Sequence, residues 1–211
     1  MPATSESAAS RAYASMRARI LDGELPGGSL VSENEIAAQL GVSRTPVREA
    51  FHRLQTEGWM QLYPKRGAVV VPIGRREARD VLEARRVIEE WAASGLDDAA
   101  RAALAERLVE LADEQERVAG TRDLDEFARL DARFHQEIVD AGGNDVLSAV
   151  YRGFDDRQRR MTSRAVAAEP ARLDRVVEQH RRLAAALGAG STFAEVLERH
   201  FADIHRELTA D

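Results

Sequence analysis

The 211-residue chain contains no cysteine, which excludes disulfide frameworks, thiolate metal sites and Fe–S clusters, and which fits a reducing compartment. Aromatic residues make up 5% and there are 6 prolines and 14 glycines, too few for collagen-like or low-complexity architecture. No apolar run approaches the roughly 20 residues of a membrane-spanning helix, so no membrane partner is expected. The opening residues, MPATSESAASRAYASM, lack a basic segment followed by an apolar one. They read as a loose tail entering a helix and not as a secretion signal, and the expected address is the cytoplasm. What is present is 44% hydrophobic and 31% charged residues, enough for one large folded domain or two small ones.

The net charge of -6 would argue against a polyanionic partner if it were evenly spread. It is not: residues 1–73 hold 8 Lys and Arg against 7 Asp and Glu, and the remainder holds 22 against 29. The change falls at VVVPIGRREARD, where a β-branched run ends in Pro72 and Gly74 and a charged helical pattern begins. Two domains are expected, 1–73 and 74–211.

In the first domain Tyr13, Met16 and Ile20 share a helical face, and Pro26-Gly27-Gly28 is expected to stop that helix. Ser32 followed by Glu35 has capping-box spacing and opens a short helix closed by Gly41. A third helix begins behind the hydroxyl of Ser43 or Thr45, with Pro46 in its first turn. Its Val47, Ala50, Phe51 and Leu54 face inward, while Arg44 and Arg48, four apart, project elsewhere. WMQLYPKRGAVVVPI then reads as two short strands around a basic tip. This is the winged helix-turn-helix order, whose second helix enters the major groove; arginine there can donate two hydrogen bonds to guanine.

Beyond residue 74 only helical periodicity is present, in six segments near 75–95, 98–119, 122–141, 144–165, 170–188 and 191–209, giving an all-α bundle. Polar residues interrupt its apolar stripes. At 100° per residue, Asp131 and His135 lie about 40° and 80° from Phe127, His180 about 40° from Val176, His200 about 20° from Phe193 and Arg85 about 40° from Val81. All are expected to point inward, with His205 at an edge. No further inward Glu, Lys or Tyr stands out as a proton-transfer group. Burying three imidazoles and a carboxylate is costly without partners, and a divalent cation satisfies all four. Zinc is the default, with nickel, manganese and iron compatible. Its charge together with Arg85 suits a small organic carboxylate.

The run GVSRTPVREAFHRLQTEGW resembles the GntR superfamily of bacterial transcription regulators, over about residues 8 to 73. The resemblance implies that Ser43, Arg44, Thr45 and Arg48 contact DNA and that Gly67 at the hairpin tip allows close approach of the backbone. Asn34 departs from the arginine many relatives carry, and His52 falls on the exposed side. EARRVIEE, LDARFHQEIVDAGGN, VEQH and LERHF resemble the FadR-like branch with its all-helical FCD effector domain. By that resemblance Asp131, His135, His180 and His200 bind metal and Arg85 faces the effector. Gln158 is a further candidate effector contact. Six helices suggest the VanR-like subgroup. The span from His180 to His200 is about two residues shorter than is usual in the family, which leaves His205 as an alternative ligand. Asn144 reads as a helix cap.

The expected protein is thus mainly α, a winged helix-turn-helix followed by an FCD-like bundle. It is expected to be a homodimeric, carboxylate-responsive regulator that binds a pseudo-palindromic duplex and has no catalytic residues. Two alternatives are a metal-dependent enzyme acting on a small carboxylate, and a regulator with a purely structural ion and a different effector.

Overall fold

The computed structural model describes residues 7–64, 66–189 and 192–206. The expected N-terminal tail, Lys65 at the hairpin tip, Gly190 and the end of the last helical segment fall wholly or partly outside them. The chain divides into two compact units, Met1–Pro72 and Ile73–Asp211. The division falls one residue before the expected boundary because Ile73 packs into the helical unit's core.

In the first unit α1 (Ala8–Leu21) is followed by β1 (Leu30–Val31), α2 (Glu33–Leu40), α3 (Arg44–Thr56), β2 (Met60–Tyr63) and β3 (Gly67–Val70). α1 ends earlier than Pro26 suggested. The chain turns at Gly23, and the Leu25 N–H closes onto the Arg19 carbonyl at 2.9 Å. α2 ends at Gly41 in the left-handed conformation, φ 63°. Ser32 caps α2 through the Asn34 N–H, not in the reciprocal pattern with Glu35. Ser43 holds the cap position of α3, but its hydroxyl makes no capping hydrogen bond.

The sheet has three antiparallel strands in the order β1-β3-β2, one more than expected, with Tyr63 opposite Gly67 and Val31 opposite Ala68. β1 is only two residues long, too short to leave an alternation signal. Gly67 has φ 102°, and a Cβ there would lie 2.3 Å from the Val31 carbonyl oxygen. The approach of β1 to β3 by itself requires glycine. Met16, Ile20, Val47, Phe51, Leu54 and Val70 are among the side chains that close the core.

The second unit comprises α4 (Arg75–Ser94), α5 (Asp98–Thr121), α6 (Leu124–Ala141), α7 (Asp145–Arg152), α8 (Asp155–Ala168), α9 (Arg172–Ala189) and α10 (Phe193–Ile204). There are seven helices among the described residues where six segments were expected, so helix count no longer supports the VanR-like subgroup. The fourth segment breaks at Gly153-Phe154, where N–H groups bond to carbonyls three residues back. A Cβ at Gly153 would lie 2.9 Å from the Val150 carbonyl oxygen. The apolar face persists across the break, which hides it from periodicity.

α6 is central, packing against α4, α5, α7 and α8, while α9 lies against α5 and α10. Asp97, Asp123 and Asn144 accept N–H hydrogen bonds at the starts of α5, α6 and α7, each supporting its helix by about 1 kcal/mol. Where α4 and α6 meet, a Cβ on Gly142 would sit 2.8 Å from the Ala92 methyl. No helix of the described residues is long and apolar enough to cross a membrane.

Candidate metal centre and candidate nucleic-acid interface

Asp131 and His135 project from α6, His180 from α9 and His200 from α10. All four are buried, and each offers a ligand atom within 4.8 Å of the others. The i, i+4 spacing on α6 sets the first pair on one face. The Phe134 ring stacks on His180 at 3.9 Å between centroids and holds its plane. His205, the alternative ligand, is buried rather than at an edge, and it is not among the four that converge.

The outer edges of the three imidazoles show what their inner edges carry. His135 Nδ1 donates to Glu89 at 2.7 Å, His180 Nδ1 to the Gln115 carbonyl oxygen at 2.7 Å, and His200 Nδ1 to the Gln179 carbonyl oxygen at 2.9 Å. The two amides are oriented from behind, because Gln115 Nε2 donates to the Phe127 carbonyl and Gln179 Nε2 donates to Asp203. An amide oxygen cannot donate, so Nδ1 of His180 and of His200 carries the hydrogen and these two neutral rings present a bare Nε2 lone pair inward; His135 does the same when Glu89 is ionised.

His135 Nε2 and His200 Nε2 face each other at 3.2 Å. His180 Nε2 has no hydrogen-bond partner and lies 3.5 Å from Asp131 Oδ1. Burial pushes all three rings down, His180 to about 3, so none is protonated at neutral pH. Asp131 is held through its other oxygen by Gln158 Nε2 at 3.1 Å and Thr162 Oγ1 at 2.9 Å. Gln158, read from sequence as a candidate effector contact, here orients the carboxylate. The four converging side chains could hold a cation, and each is oriented from behind.

Arg85 is buried beside this group. Its Nε donates to the Tyr151 hydroxyl at 2.9 Å and lies 3.4 Å from Glu89, its guanidinium sits 4.5 Å from the centre of the Phe201 ring, and its Nη2 has no hydrogen-bond partner. Tyr151 in turn donates to Glu89. Burial opposes the Arg85 charge, but Tyr151, Glu89 and Asp131 outweigh it and hold the group above its ordinary value. Burial raises Glu89 to about 7 despite Arg85 and Tyr151.

The expectation that no inward Glu or Tyr accompanies the set is corrected: Glu89 and Tyr151 are both buried next to it. Glu89 lies four residues after Arg85, and Gln115 continues the 104, 108, 111 stripe of α5. Those periodicities were the available signals.

In the first unit Ser43, Arg44, Thr45 and Arg48 all lie exposed at the start of α3. Sequence reasoning missed Glu33. Its carboxylate accepts from Arg44 Nη2 at 3.2 Å and from Arg48 Nε and Nη2, both at 3.3 Å. The groove around this cluster, about 580 Å³, is also lined by Asn34, His52 and Gly67.

Residues 80–203 match the FCD domain and residues 8–70 match the bacterial regulatory proteins of the gntR family. An HTH-type transcriptional regulator in an unstable DNA locus of Streptomyces ambofaciens is 39% identical over 71% of this chain and 64% of its own length. The gluconate operon transcriptional repressor of Bacillus licheniformis is 33% identical over 61% of this chain and 53% of its own length. The matches thus span between half and two thirds of these curated relatives. A crystal structure of a GntR regulator from Rhodococcus sp. RHA1 superposes with a TM-score of 0.71 at 25% identity, covering 95% of this chain and 96% of that one. The chain belongs to the GntR family of bacterial regulatory proteins and carries an FCD domain.

Proposed function

We propose that this chain is a metabolite-responsive, DNA-binding transcription regulator whose helical unit holds a divalent metal ion and, beside it, a small organic carboxylate. The observation that carries the sensing half is the 3.2 Å approach of His135 Nε2 and His200 Nε2, with Asp131 and the partnerless Nε2 of His180 alongside. With Glu89 ionised, both atoms present lone pairs, which repel one another unless a cation lies between them. Asp131, His135, His180 and His200 would hold it, with zinc the default for a set of three nitrogens and one oxygen. A bound ion would supply positive charge for an anionic ligand. Arg85 would supply the second contact through Nη2, the guanidinium nitrogen that no protein group satisfies.

Arg44, Thr45, Arg48 and Ser43 would meet DNA from the start of α3, with the wing at Gly67 approaching the backbone. The uncapped Ser43 hydroxyl supports a phosphate contact. Homodimerisation, which a pseudo-palindromic operator requires, is supported by large apolar side chains left exposed on two neighbouring helices, Val87 and Trp91 on α4 and Val146 and Val150 on α7. The effector would act through unequal affinity for DNA-competent and incompetent states.

The test is elemental analysis of the purified protein, then thermal-shift screening of mono-, di- and tricarboxylates before and after chelation. Metal at one ion per chain and a carboxylate shift abolished by chelation are expected. A protein that takes up no divalent ion overturns the metal reading. A carboxylate shift that survives chelation returns the ion to a structural role.

A further inference from the structure

Glu33 is the first residue of α2, directly after the Ser32 cap, and its position relative to the two arginines is unequal. The Glu33 side chain is 15% exposed, whereas those of Arg44 and Arg48 are 60% and 57% exposed. The acid therefore lies beneath and the guanidinium groups lie above it, toward solvent. Burial works to raise the Glu33 carboxyl, but hydrogen bonds from Arg48 and Arg44 outweigh it and keep the group below its ordinary value. It is ionised at neutral pH.

The atoms used matter more than the charge. Arg48 meets Glu33 with Nε and Nη2, one edge of a planar group that carries five N–H donors. The end-on edge, Nη1 and the second hydrogen of Nη2, remains. Its two parallel N–H bonds match the spacing of guanine O6 and N7 in the major groove. An untethered arginine samples many rotamers and binds any nearby phosphate. One clamped along its side edge offers a single plane. The same carboxylate cancels one of the two arginine charges, which weakens the sequence-independent attraction to phosphate.

We propose that Glu33 is a specificity-determining positioning residue that clamps Arg48, with Arg44 beside it, so that Arg48 reads guanine end-on through Nη1 and Nη2. This rests on the DNA-binding reading above and adds to it a residue that touches no base.

The test uses the full-length protein. Duplexes are selected from a randomised pool with the parent protein. Parent, Glu33→Gln, Glu33→Asp and Glu33→Ala proteins are then titrated with the recovered duplex, with versions in which each guanine is replaced in turn, and with a scrambled duplex. Thermal unfolding of each variant is recorded alongside. The guanine dependent on Arg48 is located with Arg48→Ala.

In Glu33→Gln and Glu33→Ala the penalty for replacing that guanine should fall by about tenfold or more, within the range of one bidentate contact. Binding to the scrambled duplex should tighten several-fold. Glu33→Asp should retain part of the discrimination. Arg48→Ala should cost less in the Glu33→Ala background than in the parent. An unchanged guanine penalty in folded Glu33→Gln protein overturns the proposal, whatever the melting temperature does. So does a lost preference at a cytosine instead, which would make Glu33 a base reader. Failure of the parent protein to enrich any duplex removes the DNA reading itself, and is thereby distinguished from failure of the clamp.

Discussion

The two units each gather charged or ionisable side chains at one point, and they do so in opposite dielectric settings. Around Glu33 the arginines are more than half exposed to water, so their ion pairs add at most about 1 kcal/mol to stability. Around His135 the side chains of Glu89, His135 and His180 are fully buried, and burial keeps the imidazoles neutral. The first arrangement leaves guanidinium edges facing outward for a polyanion. The second leaves lone pairs facing inward for a cation. The contrast arises from solvent access more than from residue type, since each cluster pairs carboxylate groups with nitrogen-bearing side chains.

The contrast is broken most directly at His180. Replacing it by Ala should abolish stoichiometric metal and the associated stabilisation, about 4 kcal/mol at a thousandfold excess of ion over Kd, while leaving DNA-face charge unaltered. Elemental analysis with thermal unfolding in the presence and absence of chelator checks this, and full metal occupancy in the variant would remove His180 from the ligand set.

Acid should act on the same cluster in metal-free protein. His180 and His205 are held near 3 when folded against an ordinary 6.5, so below about 6.5 the unfolded chain binds more protons and stability falls toward pH 3. His135 and His200 act in the same sense. Glu89, raised from 4.5 to about 7, opposes them by losing stabilisation as pH rises through that window, one group against four. A melting temperature that rises between pH 6.5 and 4 would contradict this sign.

A smaller effect is expected behind the ligands. Gln115→Leu removes the acceptor that orients His180 and should weaken metal binding by about 10- to 100-fold, measured by competition with a chelating indicator. On the exposed side, Arg48→Ala should cost about 1–3 kcal/mol of specific DNA binding if the bidentate guanine contact holds, yet shift stability by under about 1 kcal/mol. Electrophoretic or fluorescence titration and denaturant unfolding of the same preparation separate the two numbers.

The elements carrying each cluster were legible where local signals are strong. Gly41, the Ser43-to-Pro46 start of α3 and the inward set Val47, Ala50, Phe51 and Leu54 follow from caps and period, and Phe127 with 100° steps turned Asp131 and His135 toward the core. What escaped depends on tertiary proximity. Glu33 is 15 residues from Arg48, and nothing in its own helix marks it as that arginine's partner. Gln115 and Gln179 look like polar interruptions until the rings they orient are in view. The break at Gly153 keeps its apolar face in phase, and β1 is too short to alternate.

At Gly142 the bundle has no slack, since an added methyl would meet Ala92 at 2.8 Å. α4 brings Arg85 and Glu89 to the cluster and α6 brings Asp131 and His135, so the gap between these two rods governs whether Glu89 can reach His135 at 2.7 Å. An alanine at 142 would act as a wedge, prying the outer acid away from the imidazole with every donor residue still in place. The basicity of the centre is in that sense machined by helix spacing, and one hydrogen atom in place of a methyl sets the tolerance.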